Sequence, residues 1–145
     1  MKSFFIPREV AKIIGISYRQ LQYWDKTRFI RPSYRRRGKY RLYVFSDLAL
    51  LMFAKLLRES SVSIQRMRKL VQTLRELLPQ CNAPLPELTI LVDHERILVF
   101  SDDLIVGGAD SPYVRFDLEC LVRRVEALYP ESTNVPVVSN MAKAK

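Results

Sequence analysis

Histidine occurs once in these 145 residues, cysteine twice and glycine four times, and each scarcity removes a class of function. The single histidine, His94, lies in Asp93-His94-Glu95-Arg96, a polar run that reads as the solvated turn of a hairpin. No Gly-rich loop able to cradle a phosphate is present, since Gly107-Gly108 alone is a hinge, and no nucleophile motif is found. No catalytic residue is assigned, and an enzyme is not expected. Cys81 and Cys120 lie far apart without metal-type spacing, so neither a metal site nor a cofactor is expected. Cys120, flanked by Leu118, Leu121 and Val122, reads as a small buried apolar residue. Two such thiols fit a reducing compartment better than a disulfide scaffold.

Long apolar runs are missing as well. Nothing approaches the ~20 residues that cross a bilayer. Met1 to Ile6 is too short for the apolar part of a secretory leader and is ended by Pro7 and Arg8. A cytoplasmic protein without a membrane partner is the expectation.

What the chain has in excess is positive charge, and it is unevenly placed. The net charge is +9, with 48% apolar residues, enough for packed cores. Residues 1–80 carry 18 Lys and Arg against 5 Asp and Glu, a balance of +13. Residues 81–145 carry 6 against 10, a balance of −4. A polyanion partner therefore belongs to the first half, and the second half serves another purpose.

The first half has an ordered pattern. Ile6 and Pro7 open a helix whose inner face is Val10, Ala11, Ile13 and Ile14; Ala11 is small enough for a close helix crossing. Gly15 permits a tight turn, and Ser17 caps a second helix with Leu21, Trp24 and Tyr18 at inward spacing. Pro32 ends helical structure. Ile30 to Tyr34 starts an extended segment, Gly38 permits a reversal and Arg41 to Phe45 returns as a strand, a hairpin or wing crowded with Arg35, Arg36, Arg37, Lys39 and Arg41. Ser46 caps a third helix with Leu48, Leu51, Met52 and Leu56 apolar. Ser63 caps a fourth, striped by Ile64, Met67, Leu70, Val71, Leu74 and Leu77.

Pro79, Pro84 and Pro86 mark a boundary. The expected division is a basic winged-helix domain over 1–78 that buries its own core, a proline-rich linker over 79–87, a small α+β domain over 88–129 and a flexible tail over 130–145. In the third part Leu88–Val92 and Ile97–Phe100 form a hairpin, with further strands at Leu104–Val106 and Tyr113–Phe116. Asp117 caps a last helix with Leu118, Leu121, Val122, Val125 and Leu128 inward. The fold class is α+β: a four-helix winged helix-turn-helix, then a β-hairpin or meander with one helix.

A helix able to enter a major groove, beside cations for phosphate and aromatics for sugar, is a combination suited to double-stranded DNA. Residues Ile6 to Leu78 resemble the MerR-type winged-helix transcription regulators. The resemblance rests on Val10-Ala11, Gly15-Ile16-Ser17, Leu21, Tyr23-Trp24-Asp25, Pro32, Gly38, Tyr40-Arg41, Tyr43 and Asp47-Leu48. It implies a homodimer on an inverted-repeat operator, distorting promoter DNA. It assigns Ser17, Tyr18, Arg19, Gln22 and Tyr23 to the recognition helix and Arg37, Lys39, Tyr40, Arg41 and Tyr43 to the wing. Arg35 and Arg36 add phosphate-binding charge, and Ser63, Gln65 and Arg66 begin a helix whose terminal amides can hold a phosphate. Tyr23 and Tyr43 have two uses at this spacing, a DNA contact or a place in the core. Trp24 is assigned to the core.

The sequence departs from the family at Gln22, often Arg, and at Arg28-Phe29-Ile30, where a Gly is usual. Pro79 stands where the family continues into a long dimerising helix. Pairing is therefore expected from the C-terminal part, which could instead sense a ligand or contact RNA polymerase or another protein. Two other uses of the same winged helix stand beside promoter control: an excisionase-like DNA-bending factor and a DNA-tethered adaptor.

Overall fold

Pro7 begins α1 (Pro7–Ile14), where its missing amide would have no helical partner, and the Glu9 carboxylate accepts from the Ile6 amide at 2.9 Å. Val10, Ile13 and Ile14 form its buried side. Gly15 takes φ 84° and donates its amide to the Ala11 carbonyl, closing the helix as its lack of a side chain permits. After that turn the Ser17 hydroxyl accepts from the Gln20 amide at 2.9 Å and starts α2 (Tyr18–Lys26). Leu21 and Trp24 are buried, and Trp24 meets Phe29 edge to face. Tyr18, one of the expected inward residues, is exposed.

The computed structural model describes residues 3–35, 40–81, 85–92, 97–100 and 114–130. Outside them lie the expected wing tip at Arg36 to Lys39, part of the proline linker and the hairpin turn with His94. The strand at Leu104–Val106, Gly107-Gly108 and the tail from Glu131 onward are likewise outside the described residues. No helix among the described residues is long and apolar enough to cross a membrane.

Packing divides the chain into two units, Met1–Leu48 with Cys120–Lys145, and Ala49–Glu119. In the first unit, β1 (Tyr34–Arg35) pairs antiparallel with β2 (Arg41–Leu42), the stem of the wing. Phe5 adds a bridge to Tyr43, each donating its amide to the other's carbonyl at 2.9 Å. The N-terminal segment is thereby a third strand of the wing, which leaves Phe5 and Tyr43 in the core. This unit also holds the start of α3 (Phe45–Glu59) and most of α5 (Leu118–Leu128). Arg124 Nε donates to the Ile13 carbonyl at 2.7 Å, satisfying an orphan acceptor at the end of α1. Tyr129 bonds to Glu9, and its hydroxyl is pushed up to about 12, by burial first and then by that carboxylate. Leu121 and Val125 are fully buried. The packing units thus do not part at the prolines.

The second unit contains α3 from Ala49 and α4 (Ile64–Leu77). Residues 48–54 of α3 are buried without interruption, as in a helix enclosed on all sides. The helix starts at Phe45, one residue before Ser46, and Asp47 in its first turn accepts the Val44 amide at 2.9 Å. In α4, Met67, Leu70, Val71 and Leu74 are buried, whereas Ile64 is 66% exposed because it stands at the first turn. The helix stops at Leu77, where Pro79 leads into a 3-10 turn, Leu78–Gln80. Next come β3 (Thr89–Val92), β4 (Ile97–Phe100) and β5 (Val114–Asp117), antiparallel in the order β4-β3-β5. The central strand, β3, is buried on both faces. Cys120 is exposed, not buried as its neighbours suggested, because Leu118 and Leu121 take the inner positions of α5. Leu128 is exposed as well, at the last turn.

Candidate nucleic-acid interface

Helix α2 separates into two sides. Leu21, Trp24 and Asp25 face the interior, and Tyr18, Arg19, Gln22 and Tyr23 are exposed on the outer surface. Ser17 is exposed at its N-cap, and its hydroxyl oxygen is occupied by the Gln20 amide. A guanidinium, a carboxamide and two phenols on one helical surface offer donors, acceptors and rings to base edges and sugar.

The wing stem adds charge beside this helix. Asp25, in the last turns of α2, is buried and receives three arginines. Arg35 Nη1 lies 2.7 Å from Oδ1, Arg31 Nε 3.3 Å from Oδ1, and Arg41 Nε 3.3 Å from Oδ2. The carboxylate side chain is 5% exposed, against 43%, 36% and 39% for Arg31, Arg35 and Arg41. The negative charge is therefore inside and the positive charges stand between it and water. One carboxylate against three guanidiniums leaves a local surplus of two positive charges.

A second buried carboxylate holds the approach to the wing. Asp47 Oδ2 accepts the amides of Ser33 and Val44 at 2.9 Å each, and Oδ1 accepts the Ser33 hydroxyl at 2.7 Å. Both ends of the wing stem are thus pinned to the start of α3. Burial in this setting raises the Tyr43 hydroxyl well above its usual range, with the Asp25 and Asp47 carboxylates adding to the effect and Arg41 opposing it.

Of the wing residues singled out by the sequence, Arg35 and Tyr40 are exposed and Arg41 is half-buried. Arg36, Arg37 and Lys39 lie outside the described residues. Tyr43 is 1% exposed, so its ring serves the core and is not available to a ligand. In the other packing unit, Ser63 caps α4 by accepting the Arg66 amide at 3.3 Å, and Gln65 and Arg66 are exposed. Arg31 was not anticipated. Its partner, Asp25, precedes it by six residues, a spacing with no regular periodicity to announce a pair.

The turn after α2 contains Arg28 at φ 62°, the left-handed region that favours glycine. The Phe29 amide returns to the Trp24 carbonyl at 2.9 Å and the Arg28 amide to Asp25 at 3.0 Å, a C-terminal cap normally built around glycine.

Residues 7–74 match the family described as MerR HTH family regulatory protein. Uncharacterized HTH-type transcriptional regulators of Mycobacterium tuberculosis and Mycobacterium bovis are 40% identical over 106 residues, covering 68% of this chain and 46% of each relative. The chain spans about half the length of these curated relatives. A solved MerR-family transcriptional regulator from Bacillus cereus is 22% identical, with a TM-score of 0.44 over 53% of this chain and 68% of that one.

Proposed function

Through residues 7–74 the chain belongs to the MerR helix-turn-helix family, and from that premise we propose that it is a sequence-specific DNA-binding transcription regulator. The observation that carries this function is the joining, through Asp25, of the exposed face of α2 to the arginines of the wing stem. Arg19, Gln22 and Tyr23 read base edges, and Arg31, Arg35 and Arg41 hold the backbone. A single recognition helix covers too few base pairs to find one site in a genome, so two copies act together on an inverted repeat. The C-terminal part, residues 88–129, supplies the pairing surface, since α4 ends at Leu77 and gives way to a turn. Distortion of promoter DNA by such a dimer is the mode of control in this account.

Replacing Arg19 or Gln22 by Ala tests the assignment of specificity. Each change is expected to cost roughly 1–3 kcal/mol on a duplex selected by the protein, with a smaller loss on random duplex. Equal losses on both duplexes would make these side chains phosphate clamps and remove base selection from α2.

A further inference from the structure

The three arginines around Asp25 pose a question that charge alone does not answer. A surface that binds a polyanion gains nothing from a carboxylate unless that carboxylate does something for the cations. Free arginines this close would repel one another and sample many rotamers, and ordering such side chains on binding weakens it. Here each spends one nitrogen on Asp25, among the described residues, and keeps further N–H donors of its five. The three come from different places: the loop after α2, β1 and β2. Asp25 itself belongs to the recognition helix, so one buried group sets the wing stem, the loop and the helix against each other.

We propose that Asp25 is a positioning residue for DNA binding, holding Arg31, Arg35 and Arg41 as a preformed clamp for one backbone phosphodiester in register with α2. The clamp includes Arg31, which lies outside the helix and the wing. This proposal rests on the DNA-binding function above and names the group that aligns its two halves. It also makes a prediction opposite to simple electrostatics. Neutralising Asp25 raises the net charge by one, which by charge alone tightens binding to any duplex and steepens its salt dependence. If Asp25 positions the clamp, the freed arginines still attract DNA, but they no longer select the register in which α2 meets its bases.

The test compares the full-length protein with Asp25→Asn, titrated at several salt concentrations with a duplex selected from a random pool by the full-length protein and with random duplex. Thermal melts monitor folding. The expected result is a folded variant whose preference for the selected duplex over random duplex falls at least about tenfold, while random-duplex binding is unchanged or tighter. Asp25→Glu is expected to restore part of the preference. An unchanged preference, with both duplexes bound more tightly by one factor, would overturn the proposal and leave Asp25 a mere counter-charge. Should Asp25→Asn fail to fold, the triple change Arg31→Lys, Arg35→Lys and Arg41→Lys keeps every charge and removes the fork geometry. A preserved preference in that variant overturns the clamp, and a tenfold loss supports it. Failure of the unaltered protein to prefer any selected duplex would instead sink the DNA-binding function itself.

Discussion

Asp25 in the basic half and Asp117 in the acidic half are both engaged by arginine, and they do opposite things with it. Asp25 is buried beneath three half-exposed guanidiniums, so its neighbourhood displays a surplus of positive charge. Asp117 lies on β5 and meets Arg115 of the same strand at 3.1 Å in a half-exposed pair, while its Oδ1 also accepts the Thr89 hydroxyl at 2.9 Å. Charge there is matched and tied to the sheet. The basic half thus holds its carboxylate beneath the cations and leaves them at the surface, where the proposed clamp needs them. The acidic half uses one to finish its own strand pairing, and its central strand is buried on both faces.

The comparison would break most severely if the region around Asp25 owed its integrity to the N-terminal sequence alone. Leu121 and Val125 are fully buried and fall in the same packing unit as α1, with Arg124 bonded to Ile13. Leu121→Ala is therefore expected to destabilise the first unit by roughly 2–5 kcal/mol, read from denaturant unfolding followed by Trp24 fluorescence. A chain ending at Leu78, which the sequence suggested would bury its own core, is expected to lose cooperative unfolding. A full-strength transition from that fragment would show that residues 1–78 bury their own core.

A smaller effect sharpens the functional side. Arg28 occupies a position that glycine adopts without steric cost, so Arg28→Gly is expected to stabilise the protein by about 1 kcal/mol. That corresponds to a rise of roughly 3 °C in Tm for a chain of this size. A fall in Tm would mean that the arginine makes a stabilising contact that outweighs its backbone conformation. The smallest effect belongs to the matched pair. Arg115→Ala should change stability by no more than about 0.5 kcal/mol, because both partners are nearly half exposed. It should also leave DNA binding unaltered, in contrast to changes around Asp25.

The helical part of the fold was legible because its signals are local. Gly15 closes α1, Ser17 and Ser63 cap α2 and α4, and Pro79 ends α4, each acting within a few residues of itself. The wing stem and the β3–β4 hairpin were legible from alternation and turn residues. What was not legible depends on distant partners. Phe5 pairs with Tyr43 across nearly forty residues, a contact without a local signal, and it decides between the two uses of Tyr43 in favour of the core. Arg124 reaches Ile13 from the other end of the chain, a contact that no local signal announces. Asp25 stands in the Tyr23-Trp24-Asp25 run. Its ion-pair cluster forms only when the wing folds back and places Arg35 and Arg41 over it. Ser46 lies within the first turn of α3, two residues past the capping position, and Cys120 lies on the exposed side of α5, details for which periodicity gives little guidance.

The measurement closest to the central claim is selection of duplexes from a random pool by the full-length protein, followed by titration of the winning sequence and of random duplex at near-physiological salt. The expected outcome is an inverted repeat with half-sites about one helical turn apart or a multiple of it, bound ~10³-fold or more tightly than random DNA, with two protein chains per duplex. A pool that yields no common sequence, or a winner bound no better than random duplex, would contradict it.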